Sequence, residues 1–168
     1  DLAEGLVHEE EAALRLARAV SGPGIVLGPP AEGKVTLSAA CDGLLKVDAK
    51  RLLELNGLDD LVLATLHGNQ PVKKGQNLAG AHITPLVIEE AKLRRAEELC
   101  APSATGAGGG PLLELRPFRR ARVGVVTTGS EVAKGRIKDG FGPVLRDKFA
   151  RLGSQVVRQL LVSDDEDM

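Results

Sequence analysis

Thr127, Thr128, Gly129, Ser130 and Glu131 follow one another directly after the apolar run of residues 123–126. At the carboxyl end of a parallel strand, such a turn opens into the crevice where α/β proteins bind ligands. The hydroxyls of Thr128 and Ser130 can donate to an anion, and Gly129 lets the backbone approach it closely. The pattern is neither a P-loop, since no Gly-Lys-Ser/Thr is present, nor a Gly-x-Gly-x-x-Gly turn. Glu131 stands out, because a carboxylate beside a phosphate cradle repels the ligand unless it holds a metal ion or accepts from a ring N–H. A solvated loop glutamate is the equally open alternative.

The chain that follows must position these groups. Lys134, Arg136 and Lys138 add positive charge, and Asp139 precedes a helix that Gly142-Pro143 begins. Val144, Leu145, Phe149 and Leu152 line one face of that helix and Gly153 ends it. Residues 155–162 read as the next strand, joined by a right-handed crossover if the sheet is parallel. Residues 123–126, apolar throughout, predict a strand buried on both faces. Asp164 and Asp165 then stand at the same sheet edge as Glu131, and clustered carboxylates suit Mg²⁺. Capping of a following helix accounts for one of the two aspartates but not for both.

Charge supports an anionic ligand in this part of the chain. The whole 168-residue sequence carries a formal charge of −1, yet residues 114–158 hold 11 basic against 4 acidic side chains. Such a field attracts small phosphorylated ligands or polyanions. Nucleic acid is disfavoured, since Trp and Tyr are absent, Phe occurs three times, and single-strand binders need aromatic platforms. No apolar run approaches the roughly 20 residues of a membrane span, and no signal-peptide pattern opens the chain, so the cytoplasm is the default expectation. Cys41 and Cys100 are too few and too far apart for a disulfide framework or a zinc site, and read as buried free thiols. His8, His67 and His82 lack ligand-like spacing.

Upstream, residues 8–20 read as a helix with Glu9, Glu10 and Glu11 at its positive end and an aliphatic face of Ala12, Leu16 and Val20. Short strands follow at residues 25–27, 34–37, 44–47, 61–66 and around Ile83, interrupted by a helix that Asp48 caps and Asn56-Gly57 ends. A helix over 89–100 precedes the Gly-rich residues 101–111, which read as an interdomain linker. The expected organisation is therefore a β-rich α+β module over 1–100, a linker over 101–111, and the first β-α-β part of an α/β domain over 112–168.

The run Val125-Val126-Thr127-Thr128-Gly129-Ser130-Glu131-Val132, the loop Gly135-Arg136-Ile137-Lys138-Asp139, the helix start Gly142-Pro143, and Val162-Ser163-Asp164-Asp165 together resemble the molybdopterin-binding domain of molybdenum cofactor biosynthesis proteins. The likeness is nearest to proteins related to molybdopterin molybdenumtransferase, and segments around 8–20, 32–34 and 72–85 also have counterparts there. The resemblance implies a three-layer α/β/α domain of which this sequence holds the first part. It implies molybdopterin contacts at Thr127, Thr128, Gly129, Ser130, Arg136 and Asp139, with Glu131, Asp164 and Asp165 near Mg²⁺ or molybdate. Glu131 and Asp165 are the implied catalytic pair. The implied ligands are molybdopterin or its adenylylated form and molybdate, and a homo-oligomer is compatible with the family.

As an enzyme, such a protein exchanges an adenylyl group for molybdate on the pterin dithiolene with Mg²⁺ assistance. The alternatives are a non-catalytic cofactor-binding, storage or sensing protein, and a nucleotide hydrolase on the same domain. The sequence departs from the family at Asp139-Gly140-Phe141-Gly142, where Asp-Ser-Asn is common, and the family's second Gly-rich loop is expected beyond Met168.

Overall fold

The computed structural model describes residues 3–101 and 109–164, which fall into two compact units divided between Pro117 and Phe118. The first unit opens with strand β1 (Leu6–His8) and helix α1 (Glu9–Val20). His8 Nδ1 accepts from the Glu10 backbone N–H at 3.3 Å, and three glutamates in the first turn complement the positive end of the helix dipole. Ala12, Ala13, Leu16, Ala17 and Val20 form one fully buried stripe, which packs on the sheet below and on helix α3 (Glu90–Cys100).

That sheet has the order β2 (Ile25–Leu27), β3 (Lys34–Ala39), β7 (Asn77–Ile83), β5 (Leu61–Thr65). In β3, Val35, Leu37 and Ala39 are buried while Lys34 and Thr36 are exposed, the alternation of a sheet with one wet face. A three-stranded sheet follows the order β6 (Gln70–Val72), β4 (Gly43–Val47), β9 (Leu113–Pro117), and β1 pairs with β8 (Val87–Glu89). All of these ladders are antiparallel. Helix α2 (Ala49–Leu55) is capped as its sequence suggests, the Asp48 carboxylate accepting from the Arg51 N–H at 3.1 Å.

The boundary lies further along the chain than the composition suggests. Leu112, Leu113 and Leu115 are buried in the first unit, and β9 pairs with β4 from Val47↔Leu113 to Gly43↔Pro117. Arg51 donates to the carbonyls of Cys100 and Ala101 at 3.3 Å each and to that of Gly110 at 2.5 Å. One guanidinium thus holds both ends of the Gly-rich stretch, which leaves and re-enters the same unit. The expected linker over 101–111 is corrected to a connection from α3 to β9 within the first unit; residues 102–108 lie outside the described residues.

The second unit pairs β10 (Arg122–Thr128) with β11 (Gln155–Val162) in parallel, from Arg122↔Gln155 to Thr128↔Val162. The short helix α4 (Ser130–Ala133) and helix α5 (Phe141–Arg151) lie between the strands in sequence, and α5 packs on both of them. The chain is therefore α/β. Burial of β10 on both faces is not what the structure shows. Val123, Val125 and Thr127 are half-buried on one face, whereas Val126 on the other is 61% exposed. Helix α5 covers one face, so alternate residues stay open despite their apolar character. Cys100 is buried and Cys41 half-buried, both as free thiols, and burial pushes the Cys100 thiol up to about 11.

Candidate functional site

The polar groups singled out by sequence gather at the carboxyl ends of β10 and β11. β10 ends at Thr128, and Gly129 turns the chain into α4 with φ +143°, a conformation that L side chains rarely adopt. The Gly129 N–H donates to the Val162 carbonyl at 3.0 Å, which ties the turn to the end of β11. The Ser130 N–H donates to Asp164 Oδ1 at 2.6 Å. Asp164 therefore occupies the first donor of the turn, and that N–H, ahead of its own N–H and the Ser130 hydroxyl, holds its carboxyl below the ordinary range. It thereby caps the first turn of α4. Thr128 is exposed and Thr127 half-buried.

Glu131 faces Arg136, with Nη1 to Oε1 at 3.5 Å and both side chains more than half exposed. The Arg136 and Ile137 N–H groups also return to the Glu131 carbonyl, so the loop after α4 folds back on this residue. Glu131 and Asp164 are thus each matched to a protein donor. Among the described residues no group of three His, Cys, Asp or Glu side chains is placed to hold a metal ion. Asp165 lies outside the described residues.

Asp139 sits at the head of α5. Its Oδ1 accepts from the N–H groups of Phe141 at 2.9 Å and Gly142 at 3.1 Å, and Oδ2 accepts from Gln159 Nε2 at 2.5 Å. The Gly142 N–H foremost, then Gln159 and the Phe141 N–H, keep its carboxyl below the usual carboxylate range. Gln159 Nε2 also reaches Thr127 Oγ1 at 3.3 Å, while Arg146 Nη2 donates to Gln159 Oε1 at 3.0 Å. One amide therefore joins Thr127, Asp139 and Arg146.

Sequence reasoning missed Gln159. The available signal was a glutamine inside the otherwise apolar end of a strand, Gln159-Leu160-Leu161-Val162. Its direction, however, follows from the irregularity between Val123 and Gly124, where Val123 pairs Val156 but Gly124 pairs Arg158. The extra residue, Val157, resets the alternation and turns Gln159 toward α5.

The second unit is an α/β unit, a class in which ligands bind at the carboxyl ends of the strands. Residues 124–168 match the family model described as a probable molybdopterin binding domain. That segment begins inside β10 and contains every candidate residue. Residues 124–168 are thus similar to a molybdopterin-binding domain of the molybdenum cofactor biosynthesis type, as the sequence motifs suggested. No curated protein and no solved structure matches the chain. No helix among the described residues is long and apolar enough to cross a membrane.

Proposed function

We propose that the second unit binds molybdopterin at the carboxyl ends of β10 and β11, within the three-layer α/β/α arrangement usual for such domains, and that the protein inserts molybdate into the adenylylated cofactor. The observation that carries the reading is the match over 124–168, which contains the whole polar cluster. Thr127, Thr128, Gly129 and Ser130 supply hydroxyl and main-chain donors to the anionic part of the ligand, and Arg136 supplies charge. Asp139 fixes the head of α5 beside them. Glu131 and Asp165 are the carboxylates assigned to the reaction.

Asp164 accepts from the Ser130 N–H and Glu131 pairs with Arg136, and among the described residues no third ligand joins them, so these residues alone do not form a Mg²⁺ site. The same two engagements favour a second reading, a protein that binds, stores or senses the cofactor without transforming it.

Molybdate-dependent release of AMP from adenylylated molybdopterin separates the two readings. Release by the protein, lost in Glu131→Gln, supports insertion. Tight binding of the cofactor with no AMP release leaves the binding-protein account in its place.

A further inference from the structure

We propose that Gln159 is a positioning residue for the pterin site, tying the Thr127 hydroxyl to the Asp139 carboxylate at the head of α5 so that Thr127 is held as a donor to the ligand. The inference rests on the reading of the second unit as the molybdopterin site. Gln159 itself faces the protein, but its geometry decides what its neighbours can offer a ligand.

The amide has no freedom of orientation. Arg146 can only donate and the ionised Asp139 can only accept, so Oε1 must face Arg146 and Nε2 must face Asp139. The second N–H of the same amide then meets Thr127 Oγ1. Because Thr127 accepts this bond, its own proton remains to be donated outward. Asp139 accepts from the Phe141 and Gly142 N–H groups on Oδ1 and from the Gly142 N–H, at 3.2 Å, and Gln159 on Oδ2, which fills the roughly four positions a carboxylate offers. What remains for a ligand is the O–H donor of Thr127. A carbonyl or anionic oxygen of molybdopterin is the complement of that donor.

Gly142 shows that the arrangement has dedicated space. It is the one residue of the second unit that is buried among those described. A Cβ there would come within 2.6 Å of Gln159 Nε2 and closer still to Asp139 Oδ2 and Gln159 Oε1. The helix start is thus kept bare where the network passes.

The test uses the full chain with Gln159→Leu, a variant of similar length whose side chain suits the apolar interior, and Arg146→Met, which removes the partner on the far side of the amide. In the ligand-free protein, NMR titration of the Asp139 carboxyl carbon should move up toward the ordinary carboxylate range in Gln159→Leu. Molybdopterin affinity measured by calorimetry should fall about tenfold, the loss of one well-placed charged hydrogen bond, while thermal stability stays level or rises. Arg146→Met should weaken binding less. An unmoved Asp139 titration together with parental affinity in Gln159→Leu would overturn the inference, as would a loss of affinity that merely tracks a loss of stability. A parent that does not bind molybdopterin refutes the site reading instead, and the Asp139 titration still reports whether Gln159 holds that carboxylate.

Discussion

Residues 3–101 and 109–117 bury whole leucines, among them Leu16, Leu37, Leu45, Leu63 and Leu93, whereas the described residues of 118–164 bury a single glycine. The first unit closes an apolar core between α1, α3 and the four-stranded sheet. The second spends its interior on a polar network of Thr127, Asp139, Arg146 and Gln159, and exposes Val126, Phe141, Val144, Leu160 and Leu161. Stability and ligand chemistry are therefore held in different places. A core change in the first unit should act on unfolding alone, and a change at the head of α5 should act on the site.

The largest expected effect is in the first unit. Leu16 is fully buried on the α1 stripe, so Leu16→Ala removes its contacts and leaves a cavity worth about 2–5 kcal/mol. Denaturant unfolding followed by NMR should show the loss in resonances of residues 3–117, with those of 118–164 unchanged below the transition. Equal loss in both units would mean that they share one cooperative core.

Gly142→Ala carries the comparison into the second unit. The added methyl has no room beside Asp139 and Gln159, and overpacking of this kind costs about 1–3 kcal/mol. The loss should appear in residues 118–164 and should be accompanied by weaker molybdopterin binding, measured by calorimetry. Retained affinity would show that the network does not serve the site.

Acid sharpens the contrast through Arg15, whose guanidinium binds Glu90 at 2.8 Å and Glu97 at 2.8 Å. Arg15, and then Arg94, pull the Glu90 carboxyl from 4.5 down to about 2. The folded first unit thus binds fewer protons than the unfolded chain between those values. The stability from Glu90 is complete above about pH 4.5 and lost as pH falls through about 2. In Arg15→Gln, stability measured by urea titration across this window should fall less steeply with acid than in the parent.

Glu131→Gln should have the smallest effect on folding. Its ion pair with Arg136 is long and exposed, and such pairs contribute about 0–1 kcal/mol. Calorimetric melting should therefore shift by no more than a degree or two, while molybdate insertion falls. A large drop in melting temperature with retained insertion would make Glu131 a structural acceptor.

Local signals in the sequence were sufficient where the deciding interaction is local. Asp48 caps α2 three residues before the N–H it accepts, strand β2 begins and ends at the aliphatic residues 25–27, and Gly153 with φ +75° ends α5 where its sequence position suggested. Tertiary pairings were not legible. β9 is aligned by β4, some seventy residues earlier, and the Gly-rich stretch is closed by the distant Arg51. At the site, the turn residues were visible as a motif. That Asp164 would take the Ser130 N–H depended on strand register, and that Gln159 would bridge Thr127 and Asp139 depended on one bulge in β11.

The most direct test of the account is a chemical-shift map of the full chain on addition of molybdopterin. Binding at the ends of β10 and β11 should perturb the amides of residues 127–131, 136, 139–142 and 164 first and most, with the core of the first unit silent. Saturable shifts confined to residues 3–117, or no shifts at all, would contradict the placement of the cofactor site in the second unit.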